Sequence, residues 1–435
     1  RTIDTLPIHA ETTQPDGHQN YQIKAMKISI VGAGAAGCFC SILLKRRMPE
    51  AVVEVFEAGR RPLAKVAVTG GGRCNLTNSF KQIQQLKQAY PRGEQLMKRA
   101  LRRWSVKDTM DWFEKEGVRL LTQDDECVFP VSQDAMQIVN TLLLRMREEG
   151  VVLHTSHKIS SIIPEQEGYL LSFADERQQP RHFDKVVCTM GGCPTLERLS
   201  PFRLLEGLSM ASPVPSLFTF CIKARSLTSL MGCVVDGVSV SIAGTKIRAT
   251  GALLVTHWGV SGPAILRLSS YAARHLADNN YRAQLCVNWL NTNGEQEAMD
   301  QLQDIQQACS RRQVGNEYPR QFTAKLWQHL LGRAHIDLQK RWNELSNRDL
   351  NRLCATLTAD VYQIEGKGQY KEEFVTCGGI DLASININTL EARQHPGLYF
   401  AGELLDVDGI TGGFNLQAAW SMAAVIAEEV TQNNA

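Results

Sequence analysis

The stretch whose reading decides the fold is Lys27 to Gly37, K-I-S-I-V-G-A-G-A-A-G. Four of its first five residues suit a buried parallel strand, and Gly32, Gly34 and Gly37 then give G-x-G-x-x-G as a helix opens at Ala35 and Ala36. Gly32 permits the tight turn, Gly34 lets a phosphate approach the backbone, and Gly37 lets helix and strand pack closely. The helix N-terminus offers free N–H groups to a pyrophosphate. A second apolar run, Val52 to Phe56, closes on Glu57, twenty residues beyond Gly37. An acid at that spacing accepts hydrogen bonds from an adenosine ribose. The alternative, a glycine-rich turn with no ligand, leaves the strand, spacing and acid together unexplained.

Composition bounds the rest. A chain of 435 residues, 43% hydrophobic and 21% charged, is globular with room for two or three domains. Net charge is +2 with basic residues widely spread. Nothing in the overall balance points to nucleic acid or an anionic membrane, so no such partner is expected, and the oligomeric state is left open. The twelve cysteines contain no C-x-x-C, so no metal site is expected, and they read as reduced, mostly buried thiols of a cytoplasmic protein. Residues 1–25 are polar and match neither a signal peptide nor a membrane anchor, so they are expected to be an extension. Ala418 to Ala427 is too short to span a bilayer.

Along the chain, residues 27–57 read as strand, helix, strand, followed by a basic glycine-rich loop from Arg60 to Asn78. Residues 94–116 show helical periodicity with a cluster of Lys98, Arg99, Arg102 and Arg103, most simply a solvated face and alternatively a docking surface. Ser132 to Glu149 reads as another helix. Tyr169–Phe173 and His182–Cys188 read as strands, the second ending in T-M-G-G at Thr189 to Gly192. After Cys193, alternating runs between Pro213 and Val287 suggest an inserted antiparallel β domain, and 293–358 becomes helical and polar.

The far end supplies the second motif, Leu398-Tyr399-Phe400-Ala401-Gly402-Glu403, then Thr411-Gly412-Gly413-Phe414-Asn415 opening a helix. A strand ending in Gly-acid near the C-terminus of a dinucleotide fold suits a flavin better than a nicotinamide. Glu403 would accept from ribityl hydroxyls, and N–H groups at Gly413, Phe414 and Asn415 would face the flavin N1/C2=O edge, where negative charge develops on reduction. An ordinary strand, loop and helix is the alternative.

These stretches resemble the bacterial BaiN-like, aminoacetone-oxidase-like family of NAD(P)/FAD-dependent oxidoreductases. The resemblance rests on Gly32 to Gly37, T-G-G-G-R-C-N-L-T-N (Thr69 to Asn78), V-F-P-V-S (Val128 to Ser132), T-H-W-G-V-S-G-P-A-I-L (Thr256 to Leu266) and A-G-E-L-L-D-V-D-G-I-T-G-G-F-N (Ala401 to Asn415). It implies an α/β fold: a Rossmann-like FAD-binding domain built from both chain ends (26–192 and 375–435), an inserted β-rich domain (193–290 and 361–374) and a small helical subdomain (291–360). It also implies non-covalent FAD. Gly32, Gly34, Gly37 and Glu57 would serve its ADP half, with Arg60, Arg61 and Lys65 beside the ribose acid. Gly402, Glu403, Asp406 and Gly413 to Asn415 would serve the ribityl and flavin half. Gly70, Gly71, Gly72, Arg73, Cys74 and Asn75 would lie close to the flavin, with Gly191 of the T-M-G-G stretch also at the cofactor. Residues 193–212 depart from the glycine-rich continuation usual in the family.

Cys74 has two readings. A disulfide partner would stand at Ser79, so a redox disulfide is not expected. A thiolate with its pKa lowered by Arg73 competes with a buried small residue. His257 could donate a proton to substrate or simply fix its turn. Tyr370 and Tyr399 are weaker acid candidates. The expected activity is hydride transfer between flavin N5 and a small organic substrate, a conjugated C=C or carbonyl compound. With only one nucleotide fingerprint, NAD(P)H would dock transiently as reductant. Two alternatives stand: a flavin-binding regulatory protein with little turnover, and a flavin-dependent RNA-modifying enzyme, which only the Arg99, Arg102 and Arg103 helix supports.

Overall fold

The computed structural model describes residues 25–193, 195–368 and 375–432. The extension expected at 1–25, apart from Ala25, lies outside the described residues, as do Pro194 and the 369–374 segment with Tyr370.

The βαβ opening is β1 (Lys27–Val31), α1 (Ala35–Arg47) and β2 (Val52–Phe56). Four of the five β1 residues, Ile28, Ser29, Ile30 and Val31, are buried, because a parallel strand is covered on both faces. The parallel sheet runs in the order Leu398–Phe400, Lys185–Cys188, β1, β2, Val152–His154. A strand from near the C-terminus thus stands two places from β1, and the two chain ends make one sheet. The strands Ile159–Pro164, Tyr169–Phe173 and Arg181–Phe183 form a separate antiparallel sheet.

The helix Phe414–Gln432 packs along α1 and against the helix Glu94–Arg103. Trp420 is fully buried there, edge-on to Phe39 with ring centroids 5.4 Å apart. This helix is apolar on most of its circumference because protein surrounds it. No helix among the described residues is long and apolar enough to cross a membrane.

The helix expected over 94–116 is two, Glu94–Arg103 and Val106–Lys115. Ser105 breaks it: its hydroxyl accepts from Asp108 N while the Asp108 carboxylate accepts from Ser105 N. Such a capping box stabilises a new helix start by about 1 kcal/mol. The basic cluster is partly engaged. Arg103 bridges Glu428 at 2.8 Å and Glu429 at 2.7 Å, and Arg99 bonds the Asn388 side chain.

A second hydrophobic core takes residues from 218 to 364, whereas the first draws on 28–205 and 380–430. The second is built on a seven-stranded sheet ordered Asp360–Ile364, Ala283–Asn288, Val234–Ile242, Arg248–Thr256, Gly259–Ser261, Phe220–Cys221, Gly366–Lys367. The helices Pro263–Tyr271, Glu295–Ala308, Ala324–Arg333 and Asn347–Thr358 share that core, so the helical 291–360 stretch has no separate core of its own. The inserted unit also begins later than 193. Cys193, Leu199, Phe202 and Leu205 are buried in the first core, with Phe202 edge-on to Phe400. The chain leaves through Met210–Ser216 and returns through Val375–Ile380, which pair antiparallel as a two-stranded connector.

Candidate functional site

At the end of β1 the turn is held from both sides. Gly32 has φ +107°, and an added Cβ would stand 2.6 Å from Thr189 O. Thr189 Oγ1 donates to Gly32 O at 2.9 Å. At Gly37 a Cβ would sit 2.0 Å from Gly32 O, so this glycine sets how closely α1 approaches the turn. Gly34 differs: a Cβ there would meet no atom within 4 Å. It precedes α1 without a side-chain cap or an acid in the first turn, leaving the helix's first N–H groups for a ligand.

Glu57 is oriented by backbone. Its Oε2 accepts from Ala33 N at 2.9 Å and its Oε1 from Gly59 N at 2.7 Å, which fixes the carboxylate at the turn with lone pairs to spare. Arg60, Arg61 and Lys65 are exposed.

The 70–75 loop is a run of left-handed backbone, with φ +58° at Gly70, +69° at Gly71, +83° at Gly72 and +60° at Cys74. Added side chains at Gly71 and Gly72 would meet nothing within 4 Å. Of the two readings of Cys74, burial favours the small packed residue. It is fully buried, and burial pushes its thiol up to about 12. Arg73 points elsewhere: its Nε donates to Gly70 O at 3.1 Å and its guanidinium lies 4.4 Å from the Phe129 ring centroid. A flavin-facing thiolate is therefore not what this cysteine supplies. Asn75, with its amide oriented so that Nδ2 donates to Thr77 O at 2.9 Å, accepts the Gly413 N–H at 3.2 Å on Oδ1.

The C-terminal motif closes on the same place. Gly402 has φ +76°, and a Cβ there would meet only Ala36 Cβ at 3.7 Å, so the motif abuts the first turn of α1. Glu403 Oε1 accepts from Thr376 N at 2.6 Å, and Lys65 Nζ stands 3.7 Å from Oε2. A Cβ at Gly192 would strike Glu403 Oε1, whereas one at Gly191 would meet open space. Gly402 thus meets the first turn of α1, while Gly34, Gly71, Gly72 and Gly191 have open space beside them. Uncapped helix N–H groups with the acids Glu57 and Glu403 fit a dinucleotide such as FAD.

At the flavin end the side chains of Phe414 and Asn415 are used within the fold, which leaves the backbone N–H groups that the sequence points to. The Phe414 ring packs edge-on to Phe80 at 4.9 Å, and Asn415 is spent on Gly409, accepting from its N at 2.7 Å and donating to its O at 2.9 Å. These residues can offer a ligand only their backbone N–H groups at the helix start. Asp406 pairs with Arg274 at 2.8 Å; burial raises its carboxyl while Arg274 opposes the rise.

Sequence reasoning missed what stands beside Asp406. Arg92 donates to both oxygens of Asp408, which also accepts from Ser216 Oγ at 3.1 Å. Cys377, Asp406 and Asp408 offer ligand atoms within 4.8 Å of one another, yet both carboxylates already face arginines. No sequence signal links Arg92 to an acid 316 residues away.

His257 is exposed at the turn between Arg248–Thr256 and Gly259–Ser261, edge-on to Trp258 at 4.5 Å. It makes no hydrogen bond among the described residues. Tyr399 is fully buried within the parallel sheet, which removes it from the acid candidates.

Residues 26–429 match the family described as HI0933-like protein Rossmann domain. The chain is 31% identical over 418 residues to the ribosomal RNA dihydrouridine synthase of Escherichia coli (strain K12), covering 92% of this chain and 97% of that protein. It is 25% identical over 402 residues to the 3-dehydro-bile acid delta(4,6)-reductase of Clostridium scindens, covering 91% and 96%. Among solved structures, the 3-ketosteroid delta1-dehydrogenase from Sterolibacterium denitrificans matches with a TM-score of 0.50 at 12% identity over 93% of this chain and 99% of that one, a likeness of fold alone. The family match spans nearly the whole chain, and the place where Gly402 meets the first turn of α1 is where its cofactor would lie. The chain belongs to the HI0933-like family of FAD-binding, Rossmann-like oxidoreductases.

Proposed function

We propose that this chain reduces a carbon–carbon double bond conjugated to a carbonyl, with NAD(P)H as the transient reductant. The observation that carries the reading is that two relatives similar over nearly their full lengths act on unlike molecules with one chemistry. Dihydrouridine is uridine reduced at the C5=C6 bond next to C4=O, and a 3-oxo Δ4,6 steroid is a conjugated enone. Uracil in RNA is the favoured substrate class, because the relative of that name has the higher identity. A small enone is the second reading.

FAD, when bound, supplies the hydride chemistry that no side chain here carries. The first turn of α1 would hold its pyrophosphate, Glu57 its adenosine ribose and Glu403 its ribityl chain. The N–H groups opening Phe414–Gln432 would stabilise negative charge at the flavin. Cys74, protonated and buried, is a packing residue. Twelve free cysteines suit a reducing, cytoplasmic setting.

The test is spectroscopic and then chemical. Purified protein should carry, or take up, a flavin band that NADH or NADPH bleaches without oxygen. Deproteinised ribosomal RNA should restore the band and gain dihydrouridine by mass spectrometry, whereas 4-androstene-3,17-dione restores it if the small-enone reading holds. Protein that takes up no flavin after reconstitution overturns the proposal.

A further inference from the structure

We propose that the outer face of the inserted sheet is a phosphodiester-docking track that seats RNA and leads it toward the FAD-binding unit. The inference rests on the RNA reading above.

The chain-wide charge of +2 conceals a local excess. Residues 207–294 contain seven Lys or Arg against Asp236 and Asp278 alone, a local charge of +5. A basic module in a nearly neutral chain is the electrostatic footprint of a polyanion site.

The sheet displays part of that charge. In Val234–Ile242, Val238, Val240 and Ile242 are buried while Ser239 and Ser241 stand on the other face. Ser241 lies opposite both Arg248 and Cys286, and Ser239 opposite both Thr250 and Asn288. The outer face is therefore polar, and it holds a depression of about 270 Å³ lined by Ser239, Ser241, Thr245, Lys246, Arg248 and Asn288 among others, with no carboxylate. Lys246 and Arg248 are exposed and form no ion pair among the described residues. Hydroxyl donors and two unpaired cations are what a phosphate oxygen needs. Asn288 donates to Thr292 O at 2.9 Å, which leaves its Oδ1 buried with no partner. A sugar 2′-hydroxyl can donate to such an acceptor, a contact that RNA offers and DNA does not.

The track continues inward. Thr250 shares the face of Arg248, and its carbonyl accepts from Arg267 Nη1 at 3.2 Å. Arg267 Nε is buried and unpartnered, a donor left over. Arg267 stands on the helix Pro263–Tyr271, whose end meets the first unit: Tyr271 Oη donates to Gln88 O at 2.9 Å and Arg92 Nη2 donates to Ser270 Oγ at 3.3 Å. From Lys246 to Thr250 the strand direction covers about 13 Å, and the cations Lys246, Arg248 and Arg267 mark a path from the outer hairpin toward the junction with the FAD-binding unit.

The test uses FAD-loaded protein and end-labelled fragments of deproteinised ribosomal RNA, with binding read by fluorescence anisotropy from about 50 to about 200 mM salt. Lys246→Glu/Arg248→Glu should weaken binding at least tenfold and flatten the log–log salt slope by about 1.4, two contacts at about 0.7 each. Lys246→Gln/Arg248→Gln should give a smaller loss in the same direction, and wild-type flavin content and Tm certify the fold. DNA of the same sequence should bind more weakly than RNA to wild type, and Asn288→Leu should shrink that preference. RNA that binds and is reduced with undiminished affinity in both double variants overturns the track and leaves the RNA reading standing. Wild-type protein that binds no RNA overturns both.

Discussion

Arg92 and Asp408, 316 residues apart in sequence, join through two hydrogen bonds where the Asp408 side chain has no exposed surface. Ser216 and Ser270, from the connector strand and the inserted unit, bond the same pair. The pair therefore fastens the inserted unit to the loop that follows Glu403. Removing one partner leaves a buried charge uncompensated. Asp408→Ala is expected to cost about 3–5 kcal/mol in urea unfolding, while the double replacement Arg92→Met/Asp408→Leu recovers much of it. A single variant as stable as wild type would sink this account.

The glycines of the fingerprint should separate by phenotype. Gly37→Ala drives a methyl to within 2.0 Å of Gly32 O and should destabilise the apo protein by about 1–3 kcal/mol. Gly34→Val projects into open space at φ −88°, so the apo protein should melt near the wild-type temperature. Its FAD affinity should fall by about tenfold or more, near 1.4 kcal/mol. Paired measurements of apo Tm and FAD titration check both.

Cys74 should behave as an inert thiol. Its folded pKa of about 12 lies above the ordinary 9.0, so the neutral form favours the fold below pH 9, and that contribution is lost as pH rises through 12. Iodoacetamide at pH 8 should label the partly exposed Cys233 and Cys309 and spare Cys74 until the protein is unfolded. Cys74→Ala should keep the flavin spectrum. A long-wavelength charge-transfer band that disappears in this variant would restore the thiolate reading.

His257 tests the proton-donor idea. A well-placed general acid contributes about a hundredfold or more, and nothing among the described residues holds this exposed imidazole in a reacting geometry. His257→Gln is expected to change kcat by less than about tenfold and to leave the pH profile in shape. A hundredfold fall with loss of one limb of the pH profile would assign it the proton after all.

The sequence by itself determined the nucleotide half of this protein. Gly32, Gly34, Gly37 and Glu57 form a local pattern, because a strand, a tight turn and a helix start impose fixed spacings on neighbouring residues. Gly402, Glu403 and Gly413 were legible for the same reason, as a strand-end glycine, an acid and a helix start. Tertiary structure alone decided what depends on distant partners: that Cys74 is sealed from Arg73, that Asn415 is used up on Gly409, and that Arg92 neutralises Asp408. It also decided the division of the chain, since only packing reveals that 193–205 joins the first core and that 291–360 shares a core with the sheet. Charge shows the difference most plainly. A net +2 describes composition, but whether cations reinforce or cancel one another depends on which groups the fold sets side by side, as it does where Lys246 and Arg248 line one depression.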